Sequence, residues 1–579
     1  MSRIAALPRR TPLADADTLV REMTAWLRTP AGTMTLRPIQ ACTLYEAALQ
    51  RGVFCSARTS AGKTLAAGLL PRVVGAQRPL LIVPAALTSS SPKVEGKTER
   101  EFRELRAHWQ IPLSYRITSY QKVSTRPKCR IHGKTPCQCA RPDLLEEYRP
   151  DWIVCDEAHR LKHVRSAACA RRVARYVHAH PECGVATFTA TPLRAGLLDY
   201  AHLLWWSLRS GAPVPDDPDL LEQWAALLDE NDGNAFEGFQ SLDYSILVPH
   251  LGPVYDGPTA RKAFRSRLVE TPGVIVSQDR FDGVSLTIEP VRLPPRRDLD
   301  DAWQRLRELW VSPIDDWLLL DKQLGVAAVA KRIALGFDYY HDPRPPTDWI
   351  EARKEWQGFV RRVLEASPTY DTMAQVRDAC LAGVLPRHAW DRWAGIKDSY
   401  EARKHRQTQW LHADAIQLAS RWGRDGGIIW VDHIEFGRAL AEATGWPYFH
   451  EKGCDPRGRS IGWVSHQERT VIASSAACSE GHNLQPHDGM PGWSRNLFCT
   501  PPKTALDWEQ RVSRTHRDGQ TRDVTVQYIV GCLENFVALP CAVSYALRTE
   551  ESLGQFQKLL QADRTEPPLE WAQGPAYGI

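Results

Sequence analysis

Short apolar runs alternate with amphipathic stretches over the first third of the chain. Leu80-Leu81-Ile82-Val83 and Trp152-Ile153-Val154-Cys155 are apolar at every position, the pattern of parallel strands covered on both faces. Helical periodicity lies between them, as in Arg100 to Trp109. This alternation predicts a doubly wound α/β domain over residues 33–215, after an N-terminal extension of residues 1–32. From 216 to 405 strand-like runs thin out and tryptophan-rich helical patterns take over. Trp303, Leu306 and Trp310 form one such pattern; Trp349, Ala352, Trp356, Phe359, Val360 and Val363 form another after the break at Pro345-Pro346-Thr347. These tryptophans are expected to be the core of a mostly helical insertion. Strand patterns return at 427–431, 470–473, 496–499 and 524–530, predicting a second α/β domain over 406–579 with a short tail.

Composition adds few constraints. The 579 residues are 43% hydrophobic and 24% charged, ordinary for a globular chain. A net charge of +5 permits a nucleic-acid partner without demanding one. The stretch Met1 to Arg10 has no apolar core of a secretory signal, and no run approaches the roughly 18 apolar residues of a membrane span. Fourteen cysteines are scattered along the chain, some inside apolar runs (Cys155, Cys499). That usage fits reduced thiols, and the expected location is cytoplasmic, away from membranes.

Three segments carry candidate phosphate chemistry. In Ala57-Arg58-Thr59-Ser60-Ala61-Gly62-Lys63-Thr64 a small-residue turn opens a helix. Backbone N–H groups of such a turn point at phosphate oxygens, the lysine reaches the β- and γ-phosphates, and the threonine hydroxyl holds Mg²⁺. Asp156-Glu157-Ala158-His159 follows the strand ending at Cys155, so Asp156 can hold Mg²⁺ while Glu157 orients or deprotonates the attacking water. Near the other end, Gln510, Arg514 and Arg517 fall at i, i+4 and i+7, which predicts one helix face carrying two guanidiniums. A further cluster stands apart: Cys129, His132, Cys137 and Cys139 lie in a basic, turn-rich insertion at 126–142, where a structural zinc ion would account for three thiols outside a core.

With these residues on the page, the chain resembles helicase superfamily two, and within it the Swi/Snf-type DNA translocases with a DEAH-type second motif. Further segments carry the resemblance. Leu36-Arg37-Pro38-Ile39-Gln40 looks like the adenine-reading Q motif, and Thr189-Ala190-Thr191-Pro192-Leu193-Arg194 like the motif that couples hydrolysis to movement. Ser479-Glu480-Gly481-His482-Asn483-Leu484-Gln485 looks like motif V, and Gln510 through Gln520 like motif VI in its Swi/Snf spelling. The resemblance implies two RecA-like P-loop NTPase lobes with the helical insertion between them. Arg37, Gln40, Ser60, Ala61, Gly62, Lys63, Thr64 and Gly481 would bind ATP, and Mg²⁺ would sit on Thr64 and Asp156. Asp156, Glu157, Gln510, Arg514 and Arg517 would serve the hydrolysis, with His159, Thr189 and Thr191 as coupling residues. The implied activity is an ATP-dependent DNA translocase or helicase acting on duplex or forked DNA irrespective of sequence. An RNA helicase of the same superfamily and an ATP-gated clamp with little hydrolysis are the alternatives.

Overall fold

The computed structural model describes residues 3–10, 16–59, 61–88, 95–125, 143–162, 164, 167–190, 192, 196–229, 243–277, 281, 283–314, 320, 323–367, 369–479 and 481–578. They form two compact units, Met1–Asp279 with Ala352–Gly395 and Arg548–Phe556, and Arg280–Glu351 with Ile396–Leu547 and Gln557–Ile579.

In the first unit, β1 (Gly52–Ser56), β2 (Pro79–Val83), β3 (Arg116–Ser119), β4 (Trp152–Asp156), β5 (Gly184–Thr189) and β6 (Val274–Val276) make a parallel sheet in the order β3-β2-β4-β5-β1-β6. Successive side chains on a strand point to opposite faces, so each central strand feeds two cores. Phe54, Ile153 and Val185 pack on one face. Val53, Val154, Ala186 and Phe188 pack on the other. This double burial is why β2 and β4 read as unbroken apolar runs.

The second unit repeats the plan. Its strands are β7 (Leu286–Arg292), β8 (Phe337–His341), β9 (Arg406–Trp410), β10 (Gly427–Val431), β11 (Tyr448–Phe449), β12 (Thr470–Ser474), β13 (Arg495–Phe498), β14 (Val524–Val530) and β15 (Asp563–Arg564). Seven of them form a parallel sheet, β11-β12-β10-β13-β14-β7-β15, while β8 and β9 pair antiparallel. The fold is thus mixed α/β, with parallel sheets flanked by helices. Among the described residues no helix is long and apolar enough to cross a membrane.

The units do not follow the boundaries expected at 215/216 and 405/406. The first runs on to Asp279 because β6 pairs with β1. The second starts earlier because β7 pairs along its whole length with β14. The segment expected to be helical therefore supplies a strand to each sheet. Pro290 inside β7 masks the pattern, since proline cannot donate to a ladder. The strand tolerates it because β15 reaches only Thr287 and Ile288, leaving that edge open at Pro290.

The expectation of tryptophan cores holds for Trp303, Trp349 and Trp356, at 4%, 6% and 1% exposure, while Trp310 is exposed. Trp356 and Val360 pack with Val376, Cys380 and Ala389 in a helical cluster of the first unit. One buried carboxylate fastens that cluster. Asp371 receives Arg172 Nε at 3.3 Å and Arg175 Nη1 and Nη2 at 3.0 and 2.6 Å, both arginines coming from the helix Ala168–Ala179. Arg172 also donates to the carbonyls of Val123 and Thr125 at 2.7 and 3.0 Å. The zinc candidates Cys129, His132, Cys137 and Cys139 lie outside the described residues. Removing one partner of a buried ion pair leaves the other charges uncompensated. Asp371→Ala is therefore expected to lower stability by about 3 kcal/mol and to raise protease sensitivity around 352–395, as read by thermal melting and limited proteolysis.

Candidate functional site: three strand ends and a phosphate loop

In the first unit β5 lies between β4 and β1, with Asp156 opposite Phe188 and Ser56 opposite Thr189. Three turns therefore leave one sheet edge side by side, and the carboxyl edge of a parallel sheet is where such folds bind ligands.

The turn after β1 is the phosphate loop. Ala57 N donates to Thr189 O at 3.0 Å. Gly62 sits at φ +79°, and a Cβ there would lie 2.1 Å from Gln40 Nε2, so the position demands glycine on two counts. Lys63 and Thr64 are the first residues of the helix Lys63–Val74, whose N-terminal N–H groups favour an anion. Lys63 Nζ donates to the carbonyls of Ala57 and Arg58 at 2.8 and 3.0 Å, so the ammonium lies within the loop. Gln40 braces the loop from the helix Pro38–Gln50: its Oε1 accepts from Arg37 N at 2.8 Å and its Nε2 donates to Gly62 O at 3.0 Å. Of the loop residues expected to bind ATP, Ser60 lies outside the described set, as does the coupling residue Thr191.

The turn after β4 carries the carboxylates. Asp156 is buried, and Tyr120 Oη donates to its backbone oxygen at 2.6 Å. Burial first, and the Glu157 charge second, push the Asp156 carboxyl up to about 7, while Lys63 pulls the other way. Glu157 adopts φ +55°, an uncommon conformation for a residue with a side chain, and its N–H donates to Asp156 Oδ1 at 3.1 Å. His159 links two turns, with Nδ1 3.4 Å from Glu157 Oε2 and 3.4 Å from Thr189 Oγ1. A buried carboxylate with raised proton affinity at this sheet edge fits a divalent cation. Asp156 and Thr64 would hold Mg²⁺ with waters completing its shell, and the ion would neutralise charge on bound phosphates.

The second unit corrects one expectation. The helix Ala505–Val512 carries Gln510 but ends before Arg514 and Arg517, which lie in the turns that follow and share no helix face with it. Side-chain bonds to remote residues hold the turns that follow the helix. Asn496 Nδ2 donates to Thr515 Oγ1 at 3.0 Å, and His516 Nε2 donates to Val284 O at 2.9 Å. Gln520 Nε2 donates to the carbonyls of Trp493 and Thr515 at 2.9 and 3.0 Å. Arg514 is buried, donating from Nε to Gln510 O at 3.0 Å and from Nη1 to His482 O at 3.2 Å. It thereby joins the Gly481-His482 turn to the end of the helix. Arg517 is half-buried. Two residues carry weight that sequence spacing did not single out. Tyr120 fixes the β4 end, and Arg511 binds Asp432 Oδ1 at 2.9 Å and Thr500 O at 3.2 Å.

The Asp156 shift has a stability consequence with a definite sign. A carboxyl whose folded pKa is raised keeps its proton longer in the folded state, so stability falls as pH rises from about 4 towards 7 and stays low above it. Asp156→Asn is therefore expected to stabilise the nucleotide-free protein at pH 8 by on the order of 3 kcal/mol, and by little at pH 4, in thermal melts at the two pH values.

Comparison with known proteins agrees with this geometry. Residues 37–196 match the family model described as DEAD/DEAH box helicase, a span that opens at Arg37 and takes in the phosphate loop, Asp156-Glu157 and Thr189. No curated protein matches this sequence. Over residues 37–196 the chain is similar to the DEAD/DEAH box helicases, and its fold there is that of a P-loop helicase domain.

Proposed function

We propose that the chain is an ATP-dependent DNA translocase of the Swi/Snf type, with duplex or forked DNA as its track. The ATPase half of this reading is supported by the three adjoining turns of the first unit. Lys63 and the loop N–H groups would grip the triphosphate, Arg37 and Gln40 flank that loop, and Glu157 would orient and deprotonate the attacking water. Thr189 and His159 would relay the state of the phosphates to the β5 turn. The DNA half is carried by one observation, the spacing Gln510-x3-Arg514-x2-Arg517-x-Gly519-Gln520, which resembles Swi/Snf enzymes. Arg514 and Arg517 would stabilise charge on the transferring phosphoryl group.

The deciding experiment is ATP hydrolysis by the full chain without nucleic acid and with single-stranded DNA, duplex DNA, forked DNA and RNA. Stimulation by duplex or forked DNA is expected; stimulation by RNA alone points to an RNA helicase, and ATP binding without turnover points to a clamp. Within that assay Lys63→Ala should weaken ATP binding, whereas Glu157→Gln should bind ATP and lose turnover. Arg517→Ala should cut stimulated turnover by about 10³-fold or more at near-normal ATP affinity. Wild-type hydrolysis by Glu157→Gln overturns its assignment.

We also propose a structural zinc ion on Cys129, His132, Cys137 and Cys139. Support comes from the ligand set alone; among the described residues no group of three or more His, Cys, Asp or Glu is arranged to hold a metal ion. Elemental analysis should find about one zinc per chain, lost in a Cys137→Ser/Cys139→Ser variant. A wild-type protein without zinc overturns it.

A further inference from the structure

Residues Arg548–Phe556 follow almost all of the second unit in sequence yet pack with the first. They are fastened there by named contacts. Arg261, from the helix Gly257–Val269, meets Glu551 Oε2 at 2.6 Å. Leu553 is fully buried in the same core as Phe54 and Leu204. The helix Ala538–Leu553 then stops at Gly554, whose φ of +71° turns the chain and whose N–H donates to Glu550 O at 2.8 Å. A Cβ on Gly554 would lie 2.5 Å from Arg265 Nε, so the turn also needs the missing side chain. The next residue, Gln555, is 3% exposed.

The Gln555 amide reaches both strand ends beneath the phosphate loop. Its Nε2 donates to the carbonyl oxygen of Ala190. Its Oε1 accepts from Ser56 Oγ at 2.9 Å. A carbonyl oxygen can only accept, which fixes the NH₂ end on Ala190 and leaves the amide oxygen for the hydroxyl. Ser56 is the last residue of β1, before the phosphate loop, and is fully buried. Ala190 is the first residue after β5, between Thr189 and Thr191. One buried amide therefore spans the two points from which both loops depart. Ala57 N to Thr189 O is a second, backbone bridge beside it.

We propose that Gln555 is a positioning residue for ATP hydrolysis: it holds Ser56, at the end of β1 where the phosphate loop departs, and Ala190, just after β5, at a fixed separation, so that turnover depends on a segment remote in sequence from every nucleotide-binding motif. This rests on the ATPase reading above. Neither Ser56 Oγ nor the Ala190 carbonyl is a group expected to contact nucleotide, so loss of these two bonds should spare ATP binding and slow the reaction. Displacements of about 1 Å in such sites cost on the order of 10²-fold in rate.

The test uses the full chain with the nucleic acid that best stimulates the wild type. Gln555→Leu keeps the bulk and removes both hydrogen bonds; kcat should fall about 10- to 100-fold with KM for ATP changed less than about threefold. Gln555→Glu adds a readout that a space-filling role would not move. An ionised carboxylate cannot donate to Ala190 O, but a protonated one can, and burial raises a carboxyl's pKa. The ratio of its kcat to that of the wild type should therefore climb as pH falls from about 8 to about 6. A Leu variant with wild-type kcat, or a Glu ratio flat with pH, overturns the proposal; if the Leu variant fails to fold, the Glu ratio decides alone. A wild-type protein that hydrolyses no ATP with any nucleic acid overturns the ATPase reading and this inference together, whereas an active wild type with unaffected variants overturns only the inference.

Discussion

Everything chemical in the first unit depends on the parallel course of β4, β5 and β1. Because the three strands run the same way, the turns that follow them leave from a single edge. Backbone pairing sets Ser56 against Thr189 and Asp156 against Phe188, which fixes those turns to within a strand spacing of one another. A helix N-terminus, a buried carboxylate and a buried hydroxyl, distant in sequence, thus become neighbours without needing contacts of their own. An antiparallel arrangement would send alternate turns to opposite edges and scatter them.

The site that results is locally unfavourable. Asp156 is buried with its proton affinity raised, Glu157 holds a left-handed backbone, and the Lys63 ammonium rests on carbonyls of its own loop. The apolar packing on both faces of the sheet lets the fold tolerate these costs. A ligand of opposite charge would relieve each: a divalent cation would answer the carboxylates, and a polyanion would answer the ammonium and the helix N-terminus.

Segments far apart in the chain are joined to this frame by single polar side chains set in apolar surroundings. Asp371 gathers arginines of one helix, Glu551 meets the buried Arg261, and Gln555 bridges two strand ends. The second unit uses the same device, with Gln520 pinning the turn that holds Arg514 and Arg517. Hydrogen-bonding geometry of this kind is directional, so it selects one arrangement among many that apolar packing alone would allow.

The sequence by itself determined the strands buried on both faces and the placing of short motifs at the strand ends. The run at 427–431 coincides with β10, which is buried at every position, and 524–530 coincides with β14, where the half-buried Thr525 and Gln527 alternate with buried apolar residues. The turn ending in Gly62-Lys63-Thr64 and the pair Asp156-Glu157 were equally legible, since each lies within a few residues of the strand that presents it. Tertiary structure alone decided what depends on a remote partner. β7 was hidden by Pro290, which is tolerable only where the sheet edge is open. The helix bearing Gln510 stops short of Arg514, and the residues beyond it are held by bonds with Asn496, Val284 and Trp493. Gln555 has no local pattern, since its partners Ser56 and Ala190 lie hundreds of residues earlier. Periodicity and spacing report what the chain does with its near neighbours; a hydrogen bond between distant segments leaves no trace until the fold brings its two ends together.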